Sequence, residues 1–374
     1  MTVKNRLITS VISLSATALL MTACQPKPPA LTEKEIQYMQ TLTKKMTPRC
    51  VGRYLADVPE DMVLNSEGGQ EIEGVTIDIK PMTQYTFKLM LAGRKLEIES
   101  ETTYAEPKVP TLKNIRNIDG ATGFIFDRAV SPGSNVLRVL ELLAWRDGYF
   151  IKMTIRARDM SFLKEENRLS DEIRDTTAPE KLAQLLNVFN RTRGRADNDI
   201  PAAQGTCILN GFISGPPTDQ EEITLFYHLK TAEDVYFRFS TSSDHARNDT
   251  LLDRSKHIEP LIAEGEGKTL RKGHREVHDI KGTEYLYTIL GDESLATNKV
   301  MTYKFLFEGN NKIGSAKTPL VTIDFANGDR KPMPERPYDA DFPPPITKAT
   351  LSEAEAVTLW DAVIPTIRPR PGAF

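Results

Sequence analysis

The chain has 374 residues, enough for about two domains. Its 40% apolar and 26% charged residues describe an ordinary folded protein, not a disordered or fibrous one. A formal charge of −3 with no basic run leaves no electrostatic footprint for nucleic acid, so none is expected as a partner.

Residues 1–23 read as a signal peptide. Lys4 and Arg6 precede an apolar, small-residue run from Leu7 to Leu20 that is too short and too rich in Ser and Thr for a membrane span. Thr22 and Ala23 in front of Cys24 look like a bacterial lipobox, in which the cysteine thiol takes the lipid and becomes the new N-terminus. An ordinary signal peptide with a chance cysteine beside the cut is the alternative. Gln25 replaces the Asp that favours inner-membrane retention, so the expectation is a periplasmic protein, lipid-anchored to the outer membrane. No later segment is long and apolar enough to cross a bilayer, which leaves the lipid as the only expected attachment.

With Cys24 assigned to the lipid, Cys50 and Cys207 remain, and an oxidising compartment suggests that they form one disulfide closing 157 residues. Two buried thiols that never meet are the alternative.

Residues 24–49 are expected to form a proline-bearing spacer followed by a helix from Leu31 to Met46, with a capping box at Thr32 to Glu35. An N-terminal α+β domain follows over 50–195. The run Val51 to Pro59 reads as one strand, and Val75, Ile77 and Ile79 alternate with polar residues as a half-buried one. Met82, Tyr85, Leu89, Ala92 and Leu96 recur at helical spacing, predicting a helix that begins behind Pro81 and buries that stripe. Strands are expected at 112–118, 123–127, 135–145 and 149–156. Thr177 to Glu180 then reads as a capping box, opening a helix that buries Leu182, Leu185, Leu186 and Phe189 and stops near Gly194.

The polar stretch Arg191 to Gln204 is the expected boundary, and a C-terminal α+β domain spans 205–374. Its elements repeat the order of the first: a Cys-bearing strand over 207–213, further strands in 223–229 and 235–239, a helix over 248–264, and strands near 274–280, 285–290, 299–307 and 320–325. Both domains are thus α+β, each with a mainly antiparallel sheet packed by helices, and their shared order suggests a distant internal duplication. A proline-rich tail over 329–345 leads to a capping box at Thr350 to Glu353 and a terminal helix with Ala356, Val357, Trp360 and Val363 on its buried side.

Catalytic signatures are missing. There is no Gly-x-Ser-x-Gly elbow, no phosphate-cradling glycine loop and no His-Glu-x-x-His. His274, Glu276 and His278 would share one face of a strand and make a weak candidate metal site; a solvated strand face that happens to carry two histidines is the plainer reading. Acidic pairs such as Glu165-Glu166 and Glu221-Glu222 read as solvated faces.

The lipobox, the run from Cys50 to Pro59, the strand from Gly74 to Ile79 and the restart from Cys207 to Ile213 together resemble type VI secretion immunity proteins, specifically the family that neutralises family-four lipase (phospholipase) effectors. The resemblance covers most of Cys50 to Phe325. It implies two α+β domains arranged like a claw that grips the toxin and blocks its active site. It also implies no enzymatic activity, no cofactor, a cognate lipase effector as partner and a monomer when free. Contact residues do not transfer by position; Arg158, Arg247 and Tyr338 are candidate anchors among which no spacing rule selects. An envelope scaffold or assembly lipoprotein is the second reading, and a metal-dependent hydrolase the third.

Overall fold

The computed structural model describes residues 29–104, 106–134, 136–160, 176–292, 299–329 and 346–374. The expected signal peptide, Cys24 and most of the spacer lie outside them, as do residues 330–345 of the proline-rich tail.

The first half opens with α1 (Glu33–Leu42), whose Thr32 and Glu35 form the expected capping box, although the helix is shorter than its spacing suggested. The stretch read as one strand is a hairpin, β1 (Met46–Val51) and β2 (Tyr54–Pro59). Gly52, at φ +56°, takes the left-handed position that a two-residue turn needs, so the chain reverses inside an apolar run. Short β3 (Met62–Leu64) and β4 (Gln70–Ile72) lead to β5 (Val75–Pro81), where Val75, Ile77 and Ile79 are buried as their alternation requires. Pro81 ends this strand, and α2 (Gln84–Ser100) starts three residues later with Thr83 as its cap. An antiparallel meander follows: β6 (Leu112–Asn117), β7 (Thr122–Ala129), β8 (Leu137–Arg146) and β9 (Tyr149–Arg158). Next is α3 (Ala178–Arg191), where Leu185, Val188 and Phe189 are buried. No capping box forms at its start; the Thr177 hydroxyl accepts from the Arg158 amide instead, at 3.0 Å.

The second half repeats these moves. After β10 (Thr192–Gly194), the Cys207 run is again a hairpin, β11 (Gly205–Ile208) and β12 (Gly211–Ser214), turning at left-handed Asn210. Then come β13 (Glu221–Leu229), β14 (Ala232–Ser242), α4 (Leu251–Glu264), and the meander β15 (Lys268–Val277), β16 (Ile280–Asp292), β17 (Lys299–Gly309), β18 (Leu320–Asn327). The terminal helix α5 (Glu353–Val363) is capped by Ser352 with Glu355, two residues later than the spacing suggested, and β19 (Arg368–Pro369) closes the chain against β2.

The two halves share one sheet. Its strand order is β15-β16-β17-β18-β14-β13-β4-β5-β9-β8-β7-β6, with β3 added beside β13, and the halves join where β4 pairs with β13. Each half contributes a hairpin whose second strand also pairs with the last strand of its meander, so the order reads the same outward from the β4–β13 seam. This is the topology a duplicated unit has when its copies meet about a two-fold axis through the seam.

Cross-strand partners in an antiparallel sheet share a face, so the register shows which helix covers which side. On one side, α3 packs Leu185, Val188 and Phe189 in the same core as Ile77, Ile151 and Met153. Trp360 of α5 lies on that side too, stacked on Phe237 at 6.2 Å and edge-on to Phe305 at 5.8 Å, with its indole N–H donating to Glu284 at 3.1 Å. The hairpins β1–β2 and β11–β12 and helix α1 complete this layer, whose apolar side chains form the main core.

Candidate partner-binding face

The residues singled out from sequence do not converge. Cys24 and Tyr338 lie outside the described residues. Cys50 and Cys207 are bonded, with Cα atoms 5.8 Å apart, fully buried, and set in the equivalent hairpins β1–β2 and β11–β12 of the two halves. His274 and Glu276 share an exposed face of β15, but His278 lies past the strand end at φ +49°, in the turn to β16. Among the described residues no group of three potential ligands could hold a metal ion. Arg247 is bonded to Glu308 at 2.8 Å, which ties it to its own domain.

The halves are fastened at the back of the sheet, away from α2 and α4. Beside the disulfide, the buried Arg53 guanidinium donates twice to Glu221 at 2.6 and 3.0 Å, to Pro216 O at 2.8 Å and to Ala373 O. Buried Arg370 donates to Ala203 O at 2.9 Å, to Gly205 O at 2.6 Å and to Pro201 O. A charge buried in this way holds its position only while every partner stays in place, so Arg53 with Glu221 holds the two halves at one relative setting. The Arg370 guanidinium pins the C-terminal segment to residues 201–205 of its own half, and its amide donates to Arg53 O at 2.9 Å.

The front of the sheet is different. Following the register outward from β13, Phe226 faces Arg238, Arg238 faces Asp324, Asp324 faces Leu306 and Leu306 faces Tyr285, which lies under α4. In the other direction Glu222 faces Glu71, then Thr76, Thr154, Glu141 and Phe126, which lies under α2. Helices α2 and α4 therefore stand on the same face, at opposite ends. Between them, over β5, β4, β13, β14 and β18, no described helix covers the sheet. β9 and β17, six strand spacings apart, bound an open floor about 29 Å across.

The floor has two characters. Toward α2 it is polar: Glu71, Thr76 and Glu222 are exposed, and Lys80 and Asp78 pair at 3.0 Å. Toward α4 it carries aromatic and charged groups around a shallow pocket of about 300 Å³ lined by Phe226, Tyr236, Arg238, Tyr287, Lys304 and Asp324. Burial raises Asp324 above the usual carboxylate range against the opposing pull of Arg238, its ion-pair partner, and burial likewise raises the Tyr287 hydroxyl. The α2 end is held by Glu141, which is 1% exposed at its side chain and accepts from Arg94 of α2 at 2.9 Å and Arg128 of β7 at 2.8 Å. Burial alone would raise its pKa, but the two guanidiniums outweigh it and hold the carboxyl below the usual range.

Sequence reasoning missed this surface. Its residues come from seven strands spread along the chain, and only the pairing of β4 with β13 brings its two ends together. It also placed the wrong side of α2 in the core. Phe87, Leu91 and Ile98 are buried, whereas Tyr85, Leu89 and Leu96 are 73%, 59% and 68% exposed.

The described residues form a two-domain α+β protein with an open sheet face flanked by helices. Residues 47–195 match the model of the Tle cognate immunity protein 4 N-terminal domain and residues 199–372 that of its C-terminal domain, so the chain belongs to this immunity-protein family. Solved structures with the same fold include the apo immunity protein TplEi of the type VI secretion system of Pseudomonas aeruginosa, at 21% identity and TM-score 0.64, covering 88% of this chain and 98% of that one. Another is the Tle4–Tli4 complex, at 20% identity and TM-score 0.66, covering 88% and 99%. A third is TplEi bound to a peptide designated L, at 21% identity and TM-score 0.59, covering 87% and 98%. No curated protein matches the chain.

Proposed function

We propose that this protein is the lipid-anchored periplasmic immunity protein of a type VI secretion lipase, binding the toxin through the open sheet face and keeping substrate from its active site. The observation that carries this reading is the match of both halves to the Tle cognate immunity protein 4 models, in a chain whose sheet leaves one face open. The solved Tle4–Tli4 complex supports a lipase as the partner. A toxin that attacks membrane lipid from the periplasm has to be met there, and the leader preceding Cys24 would deliver the protein to that compartment. The buried Cys50–Cys207 bond fits an oxidising compartment. An inhibitor of this kind needs a large complementary surface and no chemistry, and a standard interface buries roughly 1,600 Å².

The test is to mix soluble Gln25–Phe374 with the lipase encoded beside it, isolate the complex and measure phospholipid hydrolysis. A stable one-to-one complex with hydrolysis abolished supports the reading. A folded, disulfide-bonded protein that leaves the lipase active refutes it and moves the assignment to an envelope scaffold. For the anchor, Cys24→Ser should abolish palmitate labelling and release the protein from the membrane fraction.

A further inference from the structure

Helix α2 carries two apolar stripes. At about 100° per residue, Phe87, Leu91 and Ile98 fall on one side and reach Phe126, Leu143 and Phe150 of the sheet. Tyr85, Leu89, Ala92 and Leu96 fall within about 60° of arc on the opposite side, and all four are exposed. Tyr104 and Val109, in the segment after the helix, are exposed as well, so half of the exposed large apolar side chains among the described residues fall between residues 85 and 109. A bare stripe at strict helical spacing serves no purpose in the fold of the free chain, and contiguous exposed apolar surface marks an interaction site.

We infer that the outer stripe of α2 is the anchor that enters the acyl-chain cleft of the lipase. The inference rests on the lipase reading above. The cleft of a lipase is apolar because it must hold acyl chains, and an amphipathic helix laid into an apolar groove is a general recognition mode read through residues at i, i+4, i+7 and i+11. Three observations favour this occupant. The stripe stands on the same sheet face as the open floor, so a partner seated there reaches α2 without turning. Of the three basic residues of α2, Arg94 is bonded to Glu141 and Glu97 and Lys95 pairs with Glu99, which leaves exposed Lys88 as the one basic side chain of the helix free to draw it to an anionic membrane. A few side chains also fall far short of the roughly 1,600 Å² of a stable symmetric dimer, so the stripe serves as one part of a larger interface.

Two measurements test it with the full soluble chain. First, Tyr85→Ala with Leu89→Asp should weaken inhibition of the lipase about tenfold or more while the melting temperature stays at the wild-type value. Second, lipase whose serine nucleophile carries a long-chain alkyl phosphonate, filling the cleft, should bind the wild-type protein at least tenfold more weakly than lipase carrying the methyl phosphonate. If wild type inhibits and the double variant inhibits equally, or the long-chain adduct binds as well as the short one, the inference is overturned. If wild type itself does not inhibit, the lipase reading falls and this inference with it. Loss of binding to phosphatidylglycerol vesicles, or a change in oligomeric state, with lipase inhibition intact would assign the stripe to a membrane or to a second copy and likewise overturn it.

Discussion

Helices α2 and α3 pack on the same strands from opposite sides of the sheet, yet only α3 could be oriented from its sequence. In α3 the apolar residues form a single stripe, and Leu185 and Phe189 are buried with Val188 while Leu182 and Leu186 pack at the edge. In α2 two stripes compete. The one with the longer regular spacing faces solvent, and the core is met by Phe87, Leu91 and Ile98. Apolar spacing therefore shows that a helix has a face but not what covers it. Where a helix has two such faces and one core, the other is available to a partner.

Substitutions separate the two cases. Phe189→Ala, which opens a cavity in the main core, should cost about 3–5 kcal/mol in a denaturant melt. Glu141→Gln, which leaves Arg94 and Arg128 without their buried counter-charge, should cost about 3 kcal/mol and loosen α2. The pH dependence has a definite sign. Because the folded carboxyl lies below its ordinary value of 4.5, its stabilisation is complete above that pH and drains away as pH falls through the folded value. The gap in melting temperature between wild type and Glu141→Gln should therefore be widest near neutrality and shrink in acid; a gap that grows in acid would reverse the assignment. Leu89→Ala should be the mildest, within about 0.5 kcal/mol of wild type, because that residue is 59% exposed. A cost comparable to that of Phe189→Ala would mean that the outer stripe is part of the core after all.

Much of the element order was legible in the sequence, because alternation in β5 and helical spacing in α3 are local signals. The two hairpins were not. Each reverses within a run of apolar residues through one left-handed position, Gly52 or Asn210, so each reads as a single strand. The internal repeat was visible only as an order of elements; the seam that joins the copies into one sheet is a pairing between β4 and β13, in which Glu71 meets Glu222 across a long stretch of chain that nothing local announces. The open face was invisible for the same reason. Catalytic motifs can be sought by spacing, whereas Glu71, Thr224, Arg238 and Asp324 become neighbours only through long-range register.

The most direct test of the account is hydrogen exchange on the protein alone and in complex with the lipase. Protection gained in α2, β5, β14 and β18 would place the toxin across the open face. Protection confined to α3, α5 and the disulfide-linked hairpins would put the partner on the covered side and contradict it.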